Sequence, residues 1–203
     1  MREKFSKLVV VSAAVLMLGA GAYAQQTTPN TPADPSVAQR KQDQQDRIAN
    51  GVQSGQLTPG ETTNLESKES AINKETAADR AANGGKLTGA EKAQVNHQQN
   101  HLSNQIYQDK HNANSTHFGN SEVGQRQQNQ QNRIANGIRS GQMTAGEAAK
   151  TENQQRGINQ QVHADRAANG GKLTSGEKAQ VNREQNRASR NIYDKKHNAR
   201  TQK

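Results

Sequence analysis

Cysteine and tryptophan are absent from the 203-residue chain, which holds only three tyrosines, two phenylalanines and four prolines. Without cysteine there can be no disulfide framework, no thiolate-held cluster and no cysteine nucleophile. So few aromatic rings leave no stacking platform for bases, so sequence-specific nucleic-acid binding is not expected. Aliphatic residues are equally scarce beyond position 24, where Ile, Leu, Val, Met and Phe together number 20 in 179 residues. An ordinary domain carries about twice that density to offset the entropy of ordering its backbone. A large core enclosing a dry pocket is therefore not expected. No Ser-His-Asp spacing recurs, so the chain reads as a protein that is not an enzyme and needs no cofactor.

What is present begins with an export pattern. Arg2, Lys4 and Lys7 precede an apolar run from Leu8 to Leu18, and Ala22-Tyr23-Ala24 offers small residues for cleavage. The run is shorter than the roughly 20 residues of a membrane span. Residues 1–24 thus read as a signal peptide, and cleavage near Ala24 predicts a periplasmic or secreted protein with no membrane span. The formal net charge of +9 becomes +7 in the mature chain. Residues 25–38, with Pro29, Pro32 and Pro35, read as a disordered spacer.

The remainder is an internal repeat with a period of 86 residues. Residues 39–114 align with 125–200 without a gap and agree at 45 of 76 positions. Residues 78–88 are identical to 164–174, whereas between Thr62 and Ala77 only Glu66, Ile72 and Asn73 are retained. Residues 115–124 read as a linker and 201–203 as a tail.

A string G-x-(L/M)-T-x-x-E occurs four times, ending at Glu61, Glu91, Glu147 and Glu177. This is the pattern of a helix start: a threonine hydroxyl accepts from the third backbone N–H while the glutamate reaches back to the cap. Thr58, Thr88, Thr144 and Thr174 are the predicted caps, with Pro59 suited to a first helical position. Gly51, Gly84, Gly137 and Gly170 are expected to end the preceding helices in left-handed conformation. The fold class is therefore all-α, a tandem duplication of a three-helix, two-turn unit. The helices are expected near 37–50, 59–82, 89–112, 124–136, 145–168 and 175–198. A thin apolar stripe marks their buried faces: Ile48, Val52, Leu57, Leu65, Ile72, Leu87, Val95, Leu102 and Ile106 in the first copy. Leu65 and Ile72 stand one heptad apart, a coiled-coil-like spacing. At about 1.5–3 kcal/mol per buried aliphatic side chain such a core is small, and a loosely packed domain is expected.

Each turn also resembles the 12-residue EF-hand loop, with Gly at position 6, an aliphatic residue at 8 and Glu at 12. The four loops are 50–61, 80–91, 136–147 and 166–177, and their spacing is similar to that of EF-hand pairs. The chain also resembles small exported bacterial proteins with RIxxGxxSGxLTxxE repeats. Ligand positions depart from the EF-hand pattern. Position 1 is Asn50, Arg80, Asn136 and Arg166, and position 3 is Val52, Ala82, Ile138 and Ala168. A calcium ion wants six to eight oxygens, several anionic, and each loop offers one carboxylate. Capped turns are expected here, with a degenerate calcium- or metal-responsive relative as the lesser alternative. Asp79 and Asp165 are expected to pair with nearby arginines.

His97 and His101 have a metal-compatible i, i+4 spacing, but the second copy replaces them by Arg183 and Arg187, so no metal site is assigned. A polar stripe is shared instead: Asn96, Asn100, Ser103, Tyr107 and His111, with Asn182, Asn186, Ser189, Tyr193 and His197. It reads either as a recognition face for a polar ligand, glycan or partner helix, or as interhelical bonding that sets register. Charge is uneven. The first copy holds nine basic and nine acidic residues, the second fourteen and six. Arg183, Arg187 and Arg190 form an i, i+4, i+7 row, followed by Lys195, Lys196 and Arg200. Such a row favours anionic glycans, lipopolysaccharide or lipid headgroups through counterion release, or another exported protein of acidic surface. The leading expectation is a non-enzymatic interaction module. The alternative is a hydrophilin-like stress protectant, since low hydropathy and abundant Gly, Gln and Asn resemble that group.

Overall fold

The computed structural model describes residues 35–202, and within them the protein is all-helical. The helices are α1 (Pro35–Ser54), α2 (Pro59–Ala82), α3 (Gly89–His111), α4 (Glu122–Arg139), α5 (Ala145–Ala168) and α6 (Ser175–Lys196). The signal-peptide reading and most of the spacer lie outside the described residues.

Four helices begin as the sequence predicts. The Glu61 N–H donates to Thr58 Oγ1 at 3.2 Å while the Thr58 N–H donates to Glu61 Oε2 at 2.9 Å. Thr88 with Glu91, Thr144 with Glu147 and Thr174 with Glu177 repeat both bonds. Each box satisfies a donor that the first helical turn leaves orphaned. Ser121 caps α4 in the simpler manner, accepting from Gly124 N at 3.2 Å.

The segment boundaries gain detail in the structure. The spacer does not extend to residue 38: α1 starts at Pro35, because Val37 is buried and its carbonyl accepts from Gln99 Nε2 at 3.0 Å. Residues 115–124, read as a linker, are held against the first copy. Thr116 N donates to the Gly55 carbonyl at 2.8 Å, and α4 is already under way at Glu122. The tail is docked in the same way, with Gln202 N donating to the Gly141 carbonyl at 2.9 Å.

Two of the four glycines expected in left-handed conformation are helical instead. Gly84 and Gly170 do adopt positive φ, at 64° and 61°. Gly51 and Gly137 instead lie inside α1 and α4, and the left-handed residues are Gly55 and Gly141. A Cβ on Gly51 would stand 2.6 Å from Leu57 Cγ, and one on Gly137 2.7 Å from Met143 Sδ. What these two positions require is space for the turn's apolar residue to fold over the helix.

Within the first copy α1, α2 and α3 pack on one another, and in the second copy α4 meets both α5 and α6, which also pack together. Between the copies, α2 lies along α5 and α1 along α4. Gly60 faces the Arg156 stem and Gly146 faces Ser70, so α2 and α5 run antiparallel and cross near Leu65 and Thr151. Ile48, Leu57, Leu65 and Leu102 therefore join Ile134, Ile138, Met143 and Ile192 in one shared core. Val123, Ile158, Val162, Val181 and Ala188 form a second, smaller cluster. The break falls where the second copy has Ala188 in place of Leu102 and lacks the longer side chain.

Candidate functional site

Much of this interior is polar. Gln44 and Gln130 are buried equivalents, and each amide bridges α3 or α6 in the same way. Gln44 Nε2 donates to the Gln99 carbonyl at 2.6 Å and to Ser103 Oγ at 2.7 Å. Gln130 Nε2 donates to the Gln185 carbonyl at 2.7 Å and to Ser189 Oγ at 2.8 Å. Buried amides tolerate their position only because such partners exist. The copy-to-copy identity of Gln44, Gln45 and Gln99 was the sequence signal that could have revealed this glutamine framework.

The framework accounts for part of the polar stripe. Arg40 donates to the Asn96 carbonyl and to Asn100 Oδ1, Arg126 donates to Asn182 and Asn186, and Ser103 and Ser189 serve the buried glutamines. These six residues tie α3 to α1 and α6 to α4. Tyr107, His111, Tyr193 and His197 remain outside. Tyr107 stacks on His111 at 4.2 Å and Tyr193 on His197 at 4.1 Å. Nδ1 of each histidine lies 2.7 Å from the tyrosine carbonyl, so that nitrogen carries a proton and Nε2 is left to face outward.

The central surprise is a group of buried carboxyls where the copies meet. Glu66, Glu69 and Glu152 have no exposed surface. Gln45 Nε2 donates to Glu66 Oε2 at 3.3 Å and Gln131 Nε2 to Glu152 Oε2 at 2.9 Å, but the second oxygen of each finds no partner. Burial pushes Glu152 up to about 8, against the pull of the Gln131 hydrogen bond. Burial also lifts Glu66 well above the carboxylate range, reinforced by the neighbouring charges of Glu69 and Glu152. Glu69 rises to about 7, chiefly from burial, although Lys41 and Asn73 oppose the rise. Glu66 and Glu152 are equivalent positions in the two copies. Burial favours the protonated form at both, a role no spacing argument identified.

The capping glutamates behave oppositely. Burial would raise Glu61, yet hydrogen bonds from Thr58, Asn114 and Asn112 hold it below its ordinary value. Its Oε1 accepts from Asn112 and Asn114 at 2.7 and 2.9 Å, while Oε2 serves the cap. Glu91 and Glu177 are lowered first by the backbone N–H groups of Thr88 and Thr174, and each accepts from Asn83 or Asn169. The carboxylate at loop position 12 is thus occupied by the helix start. The two loops of each copy lie at opposite ends of α2 or α5. Among the described residues no cluster of three His, Asp or Glu side chains is arranged to hold a metal ion. Asp79 and Asp165 make no ion pair with an arginine there. Asp79 is instead raised by desolvation first, then by the nearby charges of Glu91 and Glu75.

The six cations singled out on α6 and beyond divide into three groups. Arg183, Arg187 and Arg190 are exposed along one side of α6, and none bonds another described residue. Lys196 lays its stem over Gly137. Lys195 and Arg200 turn into a groove between the copies. No helix among the described residues is long and apolar enough to cross a membrane. Comparison of the chain with models of protein families, with curated proteins and with solved structures found no match.

Proposed function

We propose that the protein is exported and acts as a non-enzymatic binding module whose α6 face contacts an anionic surface or partner. The observation that carries this reading is the exposed row Arg183, Arg187 and Arg190, free of internal ion pairs on a helix held rigidly against α4 and α5. Three guanidiniums at helical spacing present planar, permanently charged donors to phosphate, sulfate or carboxylate groups. A helix anchored by Gln185, Ala188 and Ile192 keeps their backbone in register, so no helix-ordering entropy is spent at binding. No apolar strip accompanies the row, which favours adsorption to charge over insertion into lipid. The signal-like pattern of residues 1–24 supports a partner outside the cytoplasm: an acidic glycan, lipopolysaccharide, lipid headgroups or another exported protein.

Retention on a heparin column at rising salt tests the proposal. The Arg183→Gln/Arg187→Gln/Arg190→Gln variant is expected to elute at clearly lower salt than the parent, with the same helical circular dichroism. Equal retention would remove the row from any binding role.

A further inference from the structure

Beyond the α6 row, the contact between α2 and α5 leaves a groove of about 530 Å³, within the roughly 300–1,000 Å³ range of small-ligand sites. Lys41 from α1, Lys74 and Arg80 from α2, Lys150 from α5, Lys195 from α6 and Arg200 beyond it line this one space. The carboxylates that oppose them are Glu147, which is held by its own helix cap, and Glu69, buried behind Lys41. Burial lowers Lys41, and the nearby Arg80 charge adds to that while Glu69 offsets it. Cations from four helices and the tail therefore converge on the groove, outnumbering the two carboxylates, Glu69 opposite Lys41 and Glu147 near Lys195.

Uncommitted polar groups lie in the same wall. Thr76 is 7% exposed and its hydroxyl has no hydrogen-bond partner. The Gln202 side-chain nitrogen is likewise unpartnered, although its oxygen accepts from Ala145 N. The first turn of α5, Ala145 to Glu147, opens onto the groove and adds the positive end of a helix. The equivalent groove on the other side of the α2–α5 contact is about 450 Å³ and is poorer in cations, with Arg156 and Arg166 the arginines that line it. Gln127, Gln160 and Arg166 stand there in place of Lys41, Lys74 and Arg80, and Asn64, Asp109 and Asn114 are the counterparts of Lys150, Lys195 and Arg200.

We propose that the groove between Lys74 and Lys150 binds a small soluble anion carrying several phosphate or sulfate groups. The site does not depend on the α6 row: Lys41, Lys74, Arg80 and Lys150 lie on other helices. Fixed cations from different elements suit a ligand with separated anionic groups better than a single phosphate, and Thr76 and Gln202 supply neutral donors between them.

Isothermal titration calorimetry of the purified protein with tripolyphosphate, and separately with orthophosphate, tests this. Saturable one-site binding is expected for tripolyphosphate, roughly tenfold or more tighter than for orthophosphate and weaker at higher salt. Lys74→Gln/Lys150→Gln removes two exposed charges and is expected to weaken it at least about tenfold without loss of helicity. Arg183→Gln/Arg187→Gln/Arg190→Gln should leave it unchanged, which separates this site from the α6 proposal. Asn64→Lys/Gln160→Lys should install a second site in the opposite groove. Absence of saturable binding, an equal loss in the α6 variant, or indifference to Lys74→Gln/Lys150→Gln would overturn the proposal. Displacement of tripolyphosphate by phosphatidylglycerol vesicles at equal phosphate would overturn the assignment to a soluble anion.

Discussion

The groove beside Lys74 and the groove beside Gln160 are formed by equivalent stretches of backbone, one on each side of the α2–α5 contact, yet six cations line the first and the second has kept only Arg166 at those positions. The interior between them tells the opposite story. Gln44 and Gln130 make the same two bonds, Gln45 and Gln131 reach the same buried carboxyl position, and all four caps recur. The repeat therefore preserves what sets backbone geometry and lets the groove walls diverge. A solvent-facing side chain can change charge at little cost in stability, whereas a buried donor cannot lose its acceptor without a penalty of about 1–3 kcal/mol.

The largest expected effect acts on the interior that the copies share. Glu66, Glu69 and Glu152 all titrate higher when folded than the ordinary glutamate value of 4.5. The folded protein then holds protons that the unfolded chain releases. Their contribution is complete below about pH 4.5 and is lost as pH rises towards 7 for Glu69 and towards 8 for Glu152. Each group weakens the fold by about 1.4 kcal/mol per pH unit in its own window. Glu61, Glu91, Glu147 and Glu177 pull the other way, because their lowered values make acid protonation destabilising. Urea titrations from pH 3 to 9 should find maximal stability in mild acid and a decline through neutrality. A rise in stability from pH 5 to 8 would contradict the buried carboxyls.

Next in size is the position where the copies' cores differ. Leu102→Ala copies Ala188 into the first half, and with Leu102 1% exposed it should cost about 2–5 kcal/mol. Thermal melts of the variant read this directly. A negligible change would mean that the break between the two apolar clusters has another cause.

The smallest effect comes from exchanging Glu69 for the residue its counterpart carries. Gln155 Nε2 donates to Gln130 Oε1 at 3.2 Å, whereas Gln44 Oε1 accepts no hydrogen bond and Glu69 faces Lys41 and Asn73. Glu69→Gln supplies an amide donor and removes a buried ionisable group, although Lys41 loses a nearby carboxylate. Stabilisation by about 1–2 kcal/mol is expected at pH 8, shrinking at pH 5, where Glu69 is already protonated. Denaturant midpoints at the two pH values check it. An equal gain at both would assign the effect to packing rather than to charge.

How much of this could be read in advance depended on the range of the interaction. Thr58 and Glu61 are three residues apart, so the cap is written in consecutive letters and the start of α2 was legible to the residue. Gly51 was legible as a needed glycine, but its reason was not. Only folding brings Leu57 over it. Gln44 looked like surface composition because glutamine is usually solvated, and its partners lie 55 and 59 residues away. Glu66 was visible as a lone identity in a divergent stretch, but its buried place could not be inferred from that. Lys41, Lys74, Arg80 and Lys150 carried no recognisable spacing, because the groove draws them from three helices.

Local chemistry therefore determined the helices, their caps and turns, and the apolar positions, since each rests on neighbours within a few residues. Which faces those helices bury was decided by tertiary structure. The antiparallel contact of α2 with α5 turned two core-poor copies into one shared core, enclosed three carboxyls and set six cations around a single groove. Sequence periodicity records one face of one helix at a time. A site assembled across two copies arises only when their long-range packing brings unrelated positions together.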